Sequence, residues 1–233
     1  TGGVTELYGA LTLAFLPDPY SSIDTFDSYT TAGTLNAKSG GSGWATNWEV
    51  NRTNSFTVNV STPVCGASTR SISGADDTGD TRDLTAVTSG IITVCMRRTS
   101  KTTGQCIVQL NNVSTLGWRF TLNTADLLLV GATNATIVSN FSVDTWYKVH
   151  LNFDTAGAGT GKARLDADTA WSSSVGEANA VASIDRVQVD AIATLSGTCY
   201  IDEIDVGSEP VVAGGDVGFW DFVQQYKSLV PII

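Results

Sequence analysis

Apolar and polar residues alternate along this chain, and the clearest stretch of alternation follows Trp146. From Tyr147 to Asp154 every odd-numbered residue is apolar and every even-numbered residue is polar. After a glycine-rich stretch at 155–161, the same alternation resumes from Lys162 to Asp168. Successive side chains of a β-strand point to opposite faces, so this period of two indicates strands with one buried and one solvated face. The segment is therefore predicted to form a β-hairpin.

Similar short patterns recur through the body of the chain, separated by Gly, Ser, Thr and Asn turns and without a helical period. Hydrophobic residues make up 42% of the sequence, enough for a sizeable core, whereas charged residues make up only 15%. This combination predicts an all-β fold, an antiparallel β-sandwich of the jelly-roll type, spanning residues 23–208. Further strands are expected near Asn54–Asn59, Arg70–Ser73, Ile91–Arg97, Cys106–Leu110, Trp118–Leu122, Leu127–Val130, Arg186–Ala191 and Cys199–Val206.

Both ends of the chain differ from this body. Residues 1–22 include the apolar stretch Leu7–Pro19, and residues 209–233 contain a glycine-rich linker followed by apolar residues at helical spacing that stop before Pro231. A short C-terminal amphipathic helix is predicted there, and a helix of this length needs a packing partner. That partner is either the sandwich or another subunit, and two apolar ends favour a homo-oligomer or a larger assembly. The predicted interface residues are Phe219, Trp220, Phe222, Val223, Tyr226, Leu229 and Val230.

The charge balance excludes two classes of partner. The net charge is −10, from 23 acidic and 13 basic residues. Such a surface repels the phosphate backbone of nucleic acids and anionic membranes alike. Apolar runs such as Ala10–Leu16 are far shorter than the ~20 residues that cross a bilayer. We therefore expect neither a nucleic-acid partner nor a membrane partner.

The four cysteines include no CxxC pair, and His150 is the only histidine, so a structural zinc site is not expected. Cys95 and Cys106 flank a polar stretch with one glycine, between two apolar segments. A hairpin centred there would place the two cysteines opposite each other. In an oxidising compartment they would then form a cross-strand disulfide, and otherwise they would be buried free thiols.

The order of several short motifs resembles the concanavalin A-like jelly-roll domains, a group that includes laminin-G-like modules and non-catalytic relatives of bacterial glucanases. The resemblance implies the same sandwich over residues 23–208. It also implies a structural calcium ion where the first and last strands meet, with Asp24 or Asp27 near Asp202. The alternative is that these aspartates form turns. The matching segments are Asp24–Tyr29, Gly33–Leu35, Gly43–Trp48, Ser68–Ser71, Asp144–Asp154 and Cys199–Val206.

Two further segments bear on the function of the chain. Gly9–Leu13 resembles a phrase that precedes accessory domains in structural proteins of tailed phages. The acidic stretch Gly74–Asp83 is interpreted as a solvated loop, because it lacks the ligand order of an EF-hand; the alternative is that its acids chelate a cation.

Catalytic motifs are missing from the sequence. Glucanases of the resembling group carry their two carboxylates as Glu-x-Asp-x-Glu on one strand, and none of the five glutamates here is in that arrangement. The nearest candidate is Asp202–Asp205, in which Glu203 and Asp205 would share a face. His150 lies on a solvated strand face without a Gly-x-Ser-x-Gly elbow. No catalytic residue and no enzymatic activity are expected.

Sugar binding usually uses exposed aromatic faces together with polar groups. Trp44 and Trp48 in a glycine-rich segment, and Trp171 after the hairpin, are the candidate ligand-binding residues.

The sequence therefore predicts a non-enzymatic structural or attachment module. The first reading is a virion surface, decoration or fibre protein, most simply of a phage, which binds neighbouring subunits through its termini. The alternative is a carbohydrate-binding module or adhesin of a secreted bacterial protein, and the third reading is a glycoside hydrolase. A virion or extracellular location follows from these readings.

Overall fold

The computed structural model describes residues 22–61 and 63–207, and this part of the chain consists of strands, turns and bends, with no helix among them. It contains no segment able to cross a membrane as a helix. The strands are β1 (Ser22–Asp24), β2 (Gly33–Thr34), β3 (Glu49–Val50), β4 (Thr57–Asn59), β5 (Ser71–Gly74), β6 (Thr78–Val87), β7 (Ser89–Arg98), β8 (Gln105–Asn112), β9 (Thr115–Leu122), β10 (Leu127–Val130), β11 (Asn134–Val138), β12 (Tyr147–Asp154), β13 (Thr160–Leu165), β14 (Ile184–Ile192) and β15 (Cys199–Gly207).

These strands form two sheets that enclose one core. The first has eight strands in the order β13-β12-β7-β15-β5-β4-β2, with β1 also paired to β15. The second has seven strands in the order β11-β10-β9-β8-β14-β6-β3. The pairs within both sheets are antiparallel. The predicted all-β antiparallel sandwich is confirmed, whereas the C-terminal helix and its interface residues, like the segment 1–21, lie outside the described residues.

The predicted hairpin is also confirmed. β12 pairs with β13, and Val149, Leu151 and Phe153 point into the core with at most 1% of their surface exposed. Phe153 packs against Trp118 of the opposite sheet at 5.9 Å between ring centroids. The alternation therefore identified the core face of this strand correctly.

The prediction of a solvated loop at Gly74–Asp83 is wrong. Most of this stretch belongs to β5 and β6, and the side chains of Asp80 and Arg82 are buried. Asp80 accepts hydrogen bonds from the Phe56 amide at 2.7 Å and the Ser55 hydroxyl at 2.8 Å. Burial raises the pKa of Asp80 to about 6. Polar residues turn inward here because each finds a partner inside the sandwich.

Arg82 forms the central polar contact between the two sheets. Its Nη1 donates to Asp24 Oδ2 at 2.7 Å, and both side chains are at most 3% exposed. Trp48 Nε1 donates to the same oxygen at 2.9 Å, and the Tyr29 hydroxyl donates to it as well. Arg82 also donates to the Gly40 carbonyl. Because Asp24 lies on β1 and Arg82 on β6, this ion pair joins one sheet to the other.

The disulfide expected between Cys95 and Cys106 is not formed. Cys95 is bonded to Cys65, and Cys106 is bonded to Cys199. The prediction was wrong because β7 and β8 belong to different sheets, so the chain between them crosses the sandwich and does not form a hairpin. Disulfides form and persist in oxidising compartments, which suits a secreted or extracellular protein.

We expect the two disulfides to contribute unequally to stability. The Cys106–Cys199 bond spans 93 residues and the Cys65–Cys95 bond spans 30. The loop-closure model then gives about 4–5 kcal/mol for the first and about 3–4 kcal/mol for the second. Paired Cys→Ala variants, compared by denaturant unfolding, test this. A larger loss of unfolding free energy without the Cys65–Cys95 bond would contradict the expectation.

Candidate functional site

The outer face of the seven-stranded sheet carries a set of polar side chains that the core does not use. Along β8, β9 and β14, residues such as Val108, Phe120 and Val189 belong to the core cluster. Their sequence neighbours therefore point to the outer face of the sheet. We call the following six outward residues the amide face: Gln109, Asn111, Arg119, Thr121, Gln188 and Asp190.

Asp190 lies on β14, at the edge of the amide face next to β6, and is fully buried. Gln109 Nε2 donates to its carboxylate at 2.7 Å and Gln188 Nε2 at 2.6 Å. Arg52, from the loop after β3, forms an ion pair with the same carboxylate. With three donors around one acid, the two glutamine side chains are held in fixed orientations.

A glycine permits the approach of Arg52. Gly79 on β6 is opposite Asp190, and a Cβ at this position would lie 2.6 Å from Asp190 Oδ1 and 2.9 Å from Arg52 Cδ. A side chain at position 79 would force these side-chain atoms to shift, so the absence of a side chain at Gly79 is part of the site.

Two neutral side chains of the amide face each have a buried polar atom without a hydrogen-bond partner among the described residues. Asn111 donates from Nδ2 to Gln188 Oε1 at 3.3 Å, but its Oδ1 accepts no hydrogen bond, although the residue is only 4% exposed. Thr121 is 3% exposed, and its Oγ1 has no hydrogen-bond partner. Buried polar atoms are nearly always satisfied in folded proteins. A ligand hydroxyl would supply a missing bond where the side chains that cover these atoms move aside.

Arg119 and apolar residues complete this surface. Arg119 lies opposite Gln109 on one side and Val130 on the other. Its Nε is buried without a hydrogen-bond partner. Leu128 and Val130 are half-buried, and Ile107 is 1% exposed although it lies outside the core cluster. The face thus combines amides, a hydroxyl, a guanidinium and an apolar strip.

One end of the amide face leads into a pocket of about 220 Å³. Arg186 is opposite Asn111 in the sheet and donates from Nε to Asp83 Oδ1 at 2.6 Å. This ion pair forms part of the pocket wall and extends the polar surface beyond Asn111. The lining residues are Asp83, Leu84, Val113, Asp185 and Arg186.

The three tryptophans predicted to bind a ligand do not converge. Trp48 is fully buried, so its prediction as a sugar platform is wrong; its indole is needed for the hydrogen bond to Asp24. Trp44 is half-buried and stacks on Arg82, with the guanidinium carbon 4.8 Å from the ring centroid. Trp171 is half-buried beneath Arg164, beside the eight-stranded sheet. None of the three lies on the amide face.

The three aspartates predicted to bind calcium are only partly brought together. Asp24 is unavailable as a ligand, because Arg82 neutralises its carboxylate. Asp27 and Asp202 both contact the Ser68 hydroxyl at 3.1 Å. Over residues 22–61 and 63–207, no group of three or more His, Cys, Asp or Glu side chains is placed to hold a metal ion.

The other acids and the histidine considered from the sequence are engaged in local contacts. Glu203 accepts two hydrogen bonds from Lys148 Nζ, at 2.7 and 2.9 Å. His150 points outward, as expected, but its side chain is only 14% exposed. Its ring lies between the Thr93 hydroxyl and Asp166, at 2.8 and 2.9 Å.

Sequence reasoning missed the amide face entirely. All of its residues except Asn111 lie at alternate positions of three strands predicted from their apolar residues: Cys106–Leu110, Trp118–Leu122 and Arg186–Ala191. Asn111 directly follows the first of these ranges. The available signal was that these outward positions carry Gln, Arg, Thr and Asp, which present both donors and acceptors. Only the strand order shows that they share one surface.

Comparison with known proteins gives a likeness of fold. No family model matches the chain, and no curated protein sequence matches it. Among solved structures, a sialidase matches 92% of this chain with a TM-score of 0.57 and 13% identity, over 21% of its own length. The receptor-binding domain of botulinum neurotoxin D matches 88% of this chain with a TM-score of 0.53 and 12% identity, over 54% of its own length. The ligand-binding domain of serotype D, solved with N-acetylneuraminic acid, matches 87% with a TM-score of 0.51 and 13% identity, over 51% of its length. The chain thus spans about a fifth to a half of these proteins.

The buried carboxyl of Asp202 predicts a pH-dependent stability. Burial raises the pKa of Asp202 to about 7, against donation from the Cys65 amide and the Ser68 hydroxyl. The folded state therefore retains a proton that the unfolded chain, with an ordinary pKa of 3.8, has lost. From pH 4 to pH 7 the unfolding free energy falls by up to about 1.4 kcal/mol per unit through this group. Above pH 7 the contribution is constant.

Asp202→Asn cannot ionise, so we expect its melting temperature to fall less than that of the wild type between pH 5 and pH 7. Thermal unfolding at several pH values measures this. Asp144→Asn, which removes a carboxylate whose side chain is 56% exposed, is the control for the change in net charge. Parallel profiles for the wild type and Asp202→Asn would count against the assignment.

Proposed function

We propose that this chain is a non-catalytic glycan-binding module, which holds a sugar on the amide face and works outside the cell. The observation that carries the proposal is the pair of buried atoms without partners, Asn111 Oδ1 and Thr121 Oγ1. Both are acceptors, and the Thr121 hydroxyl is also a donor. Sugar hydroxyls both donate and accept. Thr121 is opposite Ile107, and Asn111 lies four positions further along β8, about 13 Å away at about 3.3 Å per residue, so an oligosaccharide lying along the strands would reach both positions.

The amide face offers both polar and apolar contacts, and a sugar ring has both polar hydroxyl groups and an apolar C–H face. The amides of Gln109 and Gln188 are fixed by Asp190, so little entropy is lost in ordering them on binding. Leu128 and Val130, on the adjacent strand, offer an apolar strip to the C–H face of a ring. Polar groups then set the orientation, and the apolar strip adds buried area.

Two of the structural neighbours support this proposal. One neurotoxin domain is a receptor-binding domain, and another was solved in complex with the sugar N-acetylneuraminic acid. Both share the sandwich architecture with this chain at 12–13% identity. They support a binding role for a sandwich of this kind.

We propose binding without catalysis because the carboxylate of Asp190 is buried and already accepts hydrogen bonds from neighbouring side chains. Glycoside hydrolysis by a retaining or inverting route needs two carboxyl groups that face the scissile bond. Asp190 is fully buried and surrounded by Arg52, Gln109 and Gln188. It is therefore a support for the amides, and glycoside hydrolysis remains the third reading. Calcium, where it binds, would use Asp27 and Asp202 beside Ser68 and not the amide face.

Gln188→Ala tests the proposed site. The substitution removes a donor to Asp190 and the acceptor for Asn111, so we expect glycan affinity to fall roughly tenfold or more. A glycan array with the full chain identifies binding sugars, and calorimetry with one of them gives the affinity of the variant.

The matched control is Asn152→Ala, on β12 of the opposite sheet, which also removes one amide from an outer strand face. This control is expected to bind as the wild type does. Equal loss of affinity in both variants, or no loss in Gln188→Ala, would contradict the location of the site.

A role in an assembly is the second candidate, favoured by one feature of the fold. Ser22 is paired with Val206 on neighbouring strands. The segments 1–21 and 208–233 therefore join the sandwich at adjacent points, and together they can form one docking element for neighbouring subunits, as in a virion. The amide face lies on the other sheet from Ser22 and Val206.

Deletion of residues 216–233 tests the assembly role. We expect a folded sandwich with unchanged disulfides that no longer associates, because the predicted interface from Phe219 to Val230 is lost. Size-exclusion chromatography with light scattering measures the mass of both forms. An oligomeric state that truncation leaves unchanged would rule out this use of the tail.

A further inference from the structure

The charge distribution of the seven-stranded sheet is uneven. Strands β8, β9, β10 and β11 are neighbours, and their sequences contain a single charged residue, Arg119. No Asp or Glu occurs in any of the four strands, in a chain with 23 acidic residues and a net charge of −10. Arg119 is therefore the single charged residue in these four strands.

Arg119 differs from the other outward arginines of this sheet. Arg52 is paired with Asp190, and Arg186 is paired with Asp83. Within the described ranges no carboxylate pairs with Arg119, and its Nε is buried without any hydrogen bond. A partly buried guanidinium without a counter-charge is unfavourable, because it loses water without gaining an anion.

The nearest acid of the amide face cannot serve Arg119. Asp190 lies two strands away, and its carboxylate accepts from Arg52, Gln109 and Gln188. Val130, on the other side of Arg119, is apolar. The counter-charge must therefore come from outside the described sandwich.

We propose that the glycan bound by the amide face is acidic and that Arg119 binds its carboxylate. This inference rests on the proposed function, and it specifies the class of sugar. A planar guanidinium donates two parallel hydrogen bonds to a planar carboxylate, which gives both charge compensation and orientation. Thr121, two residues along the same strand face, and Gln109, opposite Arg119, lie where they contact hydroxyls of the same sugar.

The carboxylate can belong to a uronic acid within a polysaccharide or to a terminal sialic acid. Polygalacturonate and 3′-sialyllactose represent these two sources. Carboxyl-reduced polygalacturonate and lactose are their neutral counterparts. We expect at least one acidic probe to bind at least tenfold more tightly than its neutral counterpart, and its affinity to fall as salt is added. The acidic probe that binds identifies the source.

Arg119→Gln should remove this preference, so that acidic and neutral probes bind equally, while Arg119→Lys retains part of it. Because Arg119 forms no ion pair among the described residues, the melting temperature of both variants should match that of the wild type. Arg97→Gln removes one positive charge from the opposite sheet and should leave the preference intact.

The outcomes separate the two proposals. A wild-type protein that binds the neutral probes as tightly as the acidic ones, with binding lost in Gln188→Ala, contradicts the acidic-sugar inference alone. Failure of the chain to bind any of the four probes or any array glycan contradicts the proposed function as well. Binding of dextran sulfate in preference to the carboxylated probes, or an unchanged preference in Arg119→Gln, also overturns the role of Arg119.

Discussion

The ion pair between Asp24 and Arg82 is the contact on which the arrangement of the sandwich depends. Burying two charges is costly unless each is paired and its remaining hydrogen-bonding capacity is used. Here Asp24 also accepts from Trp48 and Tyr29, and Arg82 also donates to the Gly40 carbonyl. Desolvation lowers the pKa of Arg82, an effect that Tyr29 and Asp24 oppose. The pair joins the first strand of one sheet to β6 of the other, so it fixes which face of β6 points inward.

The orientation of β6 determines which of its residues lie on the outer face of the sheet, beside the amide face. With Asp80 and Arg82 turned inward, the outer positions of β6 are Gly79, Thr81 and Asp83. The small Gly79 permits Arg52 to reach Asp190. The indole of Trp48 is drawn into the interior by the same ion pair and is lost as a surface platform. The orientation of β6 therefore determines both which charged side chains are buried and which residues lie on the outer face.

The sequence predicted those parts of the fold in which burial follows period two. The hairpin of β12 and β13 and the single strand Leu127–Val130 were found with nearly correct bounds. It failed at β6, because an inward Asp80 and Arg82 reverse the pattern that hydropathy can detect. It failed for Cys95 and Cys106 because pairing depends on which sheet each strand joins, and no local pattern encodes that. The amide face was not predicted either, because it also depends on the strand order. Gln109 and Gln188 are 79 positions apart in the sequence and adjacent only in the sheet.

The seven-stranded sheet is electrostatically divided along its width, and this division gives the amide face a direction. In the half formed by β14, β6 and β3, Asp83 and Asp190 are each paired with an arginine, whereas Glu49 and Asp185 form no ion pair among the described residues. In the half formed by β8 to β11, Arg119 has no such match. A ligand with one negative end and one neutral end therefore has a preferred orientation across the strands, with its charge over β9 and its hydroxyls over β8 and β14. A sheet with evenly spread charges would offer no such preference.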